Sequence, residues 1–294
     1  MRILHILDAA GVACIYARYQ RLQGHESKVI WNIDVGDKYG IYNFYKDFVI
    51  NVTRNQFAER CMQEGESADI IHVHGYIDIL VKLRKKFKSK KIVLHYHGTD
   101  IRGLNKQQLP HRSLLSDAII KTKILYRKLI GHVKAQRLAD AVCVSTPDLL
   151  SLVRRGIYVP IPIDTCHFTS SSFAKGDRKD ALTINSEVTD IQRAIDYCKK
   201  NNINLNIEVY DRTKDPIMYA EMPDFMRGYR TYVDIRYVND TVLKNLSSTA
   251  LQALASGLRV LDFKLKYHQG LPPEHDAKNV VSQLSTIYKD LGIL

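Results

Sequence analysis

Apolar residues run through this chain in short blocks that stop abruptly at polar or glycine positions. Residues 1–8 (MRILHILD) lead into 9–12 (AAGV), 68–75 read ADIIHVHG, and 91–103 read KIVLHYHGTDIRG. Buried parallel strands leave continuous apolar runs of this kind, and open α/β sheets gather ligands at the carboxyl ends of such strands. Between the runs, apolar positions recur at helical spacing: Val12, Ile15, Tyr16, Tyr19 and Leu22 ahead of Gly24, then 56–66 and 77–87. The pattern predicts strands at 1–8, 27–33, 69–74, 91–97 and 141–145, with Thr146-Pro147-Asp148 opening a short helix.

A proline-punctuated stretch, 158–164 (YVPIPID), and a serine-rich and charged stretch, 168–180, then interrupt the alternation. It restarts with strands expected at 181–185, 205–210, 232–237 and 259–263 and helices at 188–201, 222–228, 248–255 and 277–291. The reading is an α/β chain of two Rossmann-like domains, 1–165 and 166–294, facing each other across a cleft, with the last helix able to pack back on the first domain. A length of 294 residues gives each domain enough chain for its own core.

Composition narrows the partners. Hydrophobic content of 45% and charged content of 25% are those of a soluble globular chain, and no apolar run is long enough to span a bilayer. Asp8 interrupts the first run, which favours a buried strand over a secretion signal. The five cysteines are scattered without metal-ligand spacing, as expected of a reducing cytoplasm. A net charge of +12 attracts phosphates. With no basic stripe interleaved with stacking aromatics, nucleic acid is not an expected partner. The segment 114–138 sets Leu115, Ile119, Leu125, Leu129 and Val133 among Lys121, Lys123, Arg127, Lys128, Lys134 and Arg137. Two readings stand: a helix lying on an anionic membrane surface, or an ordinary surface helix with a solvated basic face.

Candidate chemistry gathers where strands end. Gly11 and Val12, at a strand-to-helix turn, offer backbone N–H groups to a phosphate, and Ser248 and Thr249 open a second helix that can do the same. For both, a plain turn or cap is the structural alternative. The pairs His72/His74 and His95/His97 each put two imidazoles on one face of a strand, as a metal-dependent hydrolase requires, but no nearby glutamate ligands complete such a site.

Taken together, MRILHILDAAGVA, ADIIHVHG, HYHGTDIRG, ADAVCVSTPDLL leading to IYVPIPIDTCHF, YAEMPDFM and SSTALQALASG resemble, in order and spacing, the family 4 glycosyltransferases of GT-B fold, especially their short archaeal and bacterial members. The resemblance implies transfer of a sugar from a nucleotide-sugar donor to an acceptor with retention of configuration, without a metal or other cofactor. The nucleotide would sit on the second domain and the acceptor, a glycan or lipid-linked glycan precursor, on the first. It implies His97 beside the donor sugar and Asp100 as a second catalytic candidate. Gly11, Val12, Ser186, Ser248, Thr249 and Gln252 fall on the donor side, and Arg102 and His74 on acceptor or phosphate. Assembly of glycan in the cytoplasm or peripherally on the inner face of a membrane would follow.

The chain departs from that family where charge matters. Lys244 and Gln252 stand where two glutamates eight residues apart are usual, no arginine or lysine stands at 186–190 just after Asn185, and Ile161 replaces an asparagine. Arg178, Lys179, Arg193, Arg212 and Lys214 are the substitute cations within reach. An active divergent enzyme and a catalytically silent binding relative are both consistent with these replacements.

Overall fold

The computed structural model describes residues 1–102, 130–170, 177–185, 191–212, 214–238 and 241–292. Ser186 and most of the basic segment 114–138 lie outside the described residues. The first half forms a sheet of seven parallel strands in the order β3-β2-β1-β4-β5-β6-β7. They are β1 (Arg2–Ile6), β2 (Glu26–Asn32), β3 (Val49–Val52), β4 (Ile70–His74), β5 (Lys91–Tyr96), β6 (Ala141–Val144) and β7 (Gly156–Tyr158). Helices α1 (Val12–Leu22), α2 (Ile41–Phe44), α3 (Arg54–Ser67), α4 (Ile77–Lys86), α5 (Thr99–Arg102) and α6 (His132–Leu138) connect them. Every residue of β4 and all but the first of β5 are buried, which is why both read as unbroken apolar runs.

The second half carries β8 (Lys179–Asn185), β9 (Ile207–Asp211), β10 (Tyr229–Val233), β13 (Arg259–Leu261) and β14 (Tyr267–His268), ordered β14-β13-β10-β8-β9. All are parallel except β14. A hairpin of β11 (Tyr237–Val238) and β12 (Thr241–Val242) stands apart, and helices α7 (Ile191–Lys200), α8 (Met222–Arg227), α9 (Ser248–Ala255) and α10 (Ala277–Asp290) complete this half. The strand expected at 232–237 begins earlier and ends at Val233; beyond it the Asp234 N–H still donates to Leu261 O at 2.9 Å, while its carboxylate caps the segment before α9.

One apolar cluster joins the halves, running from α1 and Tyr45 through Tyr219 and Met222 to Leu182 and Val260 of the second sheet. α10 belongs physically to the first half: it packs on α1, and the Gln283 side chain donates to Tyr158 O at 2.8 Å. Two register pairs, His5↔His72 and His74↔His95, bring the imidazoles of β1, β4 and β5 side by side. Because residues two apart share a face, His97 joins the same row.

Candidate functional site

Between the two sheets lies a cleft of about 290 Å³. Its first wall comes from Ala10 after β1 and from the loop after β2, Gly36 to Tyr42, with Trp31 behind. Arg212 after β9, Met222 at the start of α8, and Ser248, Thr249 and Gln252 of α9 form the second. Its volume is at the small end of those that hold metabolites.

α9 is oriented by a cap one residue ahead of the expected one. Ser247 Oγ accepts from Ala250 N–H at 2.9 Å, while the Ser247 N–H and O–H each donate to Asp234 at 2.8 Å. Asp234 in turn pairs with Arg236 at 2.9 Å. Ser248 and Thr249 therefore hold the first two helical positions, where backbone donors have no intrahelical acceptor, and both face the cleft. Gln252, one turn on, lines the same cleft, whereas Lys244 does not.

Two cations line this cleft, Lys38 on the first wall and, on the second, Arg212. Its guanidinium lies 3.6 Å above the Tyr39 ring centroid, has no carboxylate partner among the described residues, and its Nε is buried without an acceptor. Burial pulls its pKa down, yet a guanidinium stays charged at any physiological pH. The other substitute cations are engaged elsewhere: Lys179 pairs with Glu208, Lys214 with Asp211, and Arg193 stacks on Tyr237. Arg178 donates to Tyr229 O.

The start of α1 is arranged otherwise than as an open phosphate site. Gly11 adopts φ 89° to make the turn, and Val12 N–H is spent on Ala9 O at 3.2 Å. Ala13 N–H donates to Asp8 Oδ1 at 2.6 Å, so the helix end carries an anion of the chain's own. Burial raises the Asp8 pKa to about 6, against the lowering effect of hydrogen bonds from this helix end. An aspartate directly ahead of a glycine-bearing strand-to-helix turn was the available sequence signal for this role.

The five imidazoles form a continuous chain of hydrogen bonds. His5 Nε2 lies 2.9 Å from Gln20 Oε1, His5 Nδ1 3.0 Å from His74 Nε2, and His74 Nδ1 2.8 Å from His97 Nε2. His97 Nδ1 then meets Ser145 Oγ at 2.7 Å, which meets His95 Nε2 at 3.0 Å. His95 Nδ1 meets His72 Nε2 at 3.2 Å, and His72 Nδ1 meets the Tyr288 hydroxyl at 2.7 Å. Gln20 Oε1 can only accept, so every imidazole must donate from Nε2 and accept at Nδ1, with Tyr288 and Ser145 donating in the same sense. Burial keeps all five neutral, lowering His5 and His97 to about 4 and the other three well below their usual value. Both ring nitrogens of His97 and of His74 are thus used inside the protein, and neither imidazole lines the cleft.

Asp100 and Arg102 brace this strand end. Asp100 accepts from His97 N–H at 2.9 Å and Gly98 N–H at 2.8 Å, and it fills the space beside Gly75, where a Cβ would come within 2.6 Å of Oδ2. Arg102 makes a forked pair with Asp148 at 2.8 and 2.9 Å and donates to Thr146 at 2.8 Å. Of the residues singled out by sequence, the structure therefore gathers Ser248, Thr249, Gln252 and Arg212 in one cleft. Gly11 and Val12 stand beside it, and His74, His97, Asp100 and Arg102 belong to a bonded network away from its lining.

No protein-family model and no curated protein matches the chain. Solved structures do. An alpha-glucosyltransferase in complex with UDP superposes with TM-score 0.58 at 14% identity, over 100% of this chain and 92% of that one. The alpha-glucosyltransferase in complex with UDP and a 13-mer DNA containing a HMU base gives 0.59 at 15% identity, over 100% and 91%. That in complex with UDP-glucose and DNA containing an abasic site gives 0.55 at 14%, over 99% and 91%. At such identities the likeness carries the fold: a GT-B glycosyltransferase architecture of two Rossmann-like lobes.

Proposed function

We propose that this protein is a glycosyltransferase that takes a sugar from a nucleotide-sugar donor, with the donor phosphates held in the cleft between Arg212 and the first turn of α9. The observation that carries the reading is Arg212: a guanidinium without a carboxylate partner among the described residues, facing a helix start whose donors also suit an anion. Gln252 can bond a ribose hydroxyl without supplying charge. Arg212, Lys38 and peptide dipoles would then do what the missing acidic and basic residues do in the family the sequence resembles. The UDP complexes of structures sharing the fold support the donor class. Retention of configuration and a first half ending near residue 165 are part of the same proposal. So is the enzyme reading itself, against that of a silent binding relative.

For the acceptor we infer an anionic, membrane-associated glycan precursor. Ile130, Leu150, Leu152 and Ile157 are exposed in the same part of the first lobe as Lys134, Arg137, Arg154 and Arg155, a mixture suited to an anionic bilayer surface. No described helix is long and apolar enough to cross a membrane. A nucleic-acid acceptor is the second reading, favoured by the net charge of +12 together with the DNA in two of the structures above. Screening UDP-, GDP- and ADP-sugars for thermal stabilisation tests the donor, since a ligand of the folded state raises its melting point. No stabilisation by any of them, in wild-type protein, would overturn the proposal. Co-sedimentation with anionic vesicles, against retardation of duplex DNA, separates the two acceptors.

A further inference from the structure

The outer part of the imidazole row has the makings of a metal centre that the transfer reaction does not call for. His74, His95 and His97 each offer a ring nitrogen within 4.8 Å of the other two. Among the described residues no thiolate or carboxylate joins them, and an all-nitrogen set suits zinc, cobalt, nickel or copper(II) and disfavours magnesium or calcium.

The surroundings also match what a ligated histidine needs on its far side, a partner that fixes its tautomer. His74 has His5 behind it at 3.0 Å, backed by Gln20 at 2.9 Å. His95 has His72 at 3.2 Å, backed by Tyr288 at 2.7 Å. His97 has Ser145 at 2.7 Å. Of the three, His97 is partly exposed, which gives an ion a way in, and the Asp100 carboxylate beside it offsets positive charge.

We propose that His74 Nδ1, His95 Nε2 and His97 Nε2 bind one zinc-like divalent cation, with a fourth position open beside Ser145 Oγ. His74 Nδ1 and His97 Nε2, now bonded to each other edge to edge at 2.8 Å, must turn out of line and open to about 3.3 Å, the separation of two nitrogens around a tetrahedral zinc, and His95 Nε2 must leave Ser145 Oγ, 3.0 Å away. The protons balance without loss. His97 moves its proton from Nε2 to Nδ1 and donates to Ser145, whose hydroxyl hydrogen turns away. His95 moves its proton to Nδ1 and donates to His72 Nε2, and His72 donates from Nδ1 to the Tyr288 oxygen. His74 keeps its Nε2–H on His5. Each imidazole still carries one proton, so binding shifts tautomers and releases none.

The test uses untagged wild-type protein dialysed against Zn²⁺ or Co²⁺ at neutral pH. About one equivalent should be retained, the cobalt form should show tetrahedral visible bands, and Zn²⁺ should raise the melting temperature. His74→Ala should lose the metal. Should that variant fail to fold, anomalous diffraction at the zinc edge on wild-type crystals locates the ion directly. Retention of less than about a tenth of an equivalent with no effect of Zn²⁺ on melting, or density for zinc elsewhere, overturns the proposal. These readouts involve no donor or acceptor, so the result is independent of whether sugar transfer is observed.

Discussion

The Arg18 guanidinium donates to Asp164 Oδ2 at 2.7 Å, tying α1 of the first lobe to the chain segment that leads into the second. Asp164 is completely buried, and it also accepts from Tyr45 OH at 2.7 Å and Tyr19 OH at 3.0 Å. Tyr45 OH then meets Tyr219 OH of the second lobe at 3.1 Å, so one carboxylate organises the floor between the lobes.

Asp164→Ala should therefore destabilise the protein by about 3–5 kcal/mol, the cost of leaving a buried partner uncompensated. Urea unfolding measures it. A loss below about 1 kcal/mol would mean the carboxylate is solvated in solution and does not hold the lobes.

Stability should fall on acidification through the imidazole row. His5 and His97, lowered to about 4 by burial, stay neutral in the fold while the unfolded chain takes up protons near 6.5. The unfolded state then binds more protons. The stabilisation is complete above about 6.5 and is lost as pH drops from there toward 4, at up to about 1.4 kcal/mol per pH unit for each histidine. Melting temperatures at pH 7.5, 6, 5 and 4.5 check this, and a flat profile contradicts it.

Asp8 works in the opposite sense. Its folded pKa of about 6 lies above its ordinary value, so its contribution is present at low pH and is lost as pH rises through about 6. Asp8→Asn removes that loss. The variant should gain about 2 kcal/mol at pH 7.5 relative to pH 4.5, in comparison with wild type, and its acid transition should be steeper. Equal pH profiles for the two proteins would show that Asp8 is ionised in the fold at no cost.

Arg212→Ala should weaken nucleotide-sugar binding by about ten- to a hundredfold, the worth of a charge-assisted bond to phosphate, and Arg212→Lys should restore part of it. Calorimetric titration with whichever donor stabilises the wild type reads the effect. Unchanged affinity in the alanine variant moves the phosphates away from this residue.

Much of the architecture could be read from the residues because the strands are buried on both faces. ADIIHVHG and KIVLHYHG announce β4 and β5, and the helix expected at 248–255 coincides with α9. β3 escapes the pattern because VINV is too short to show a period, and the expected β10 runs past its end along YVDIRY, where apolar and charged residues keep alternating. The site was less accessible for a different reason. That Asp8 caps α1 depends on side-chain direction, and that His97 points along the row depends on the register of three strands far apart in sequence. Arg212 was one basic residue among five until its neighbours were known.

The Tyr288 hydroxyl that ends the imidazole row sits 216 positions downstream of its partner His72. The polar spine of the first lobe therefore cannot close during synthesis before residue 288 has been made, however early its strands leave the ribosome.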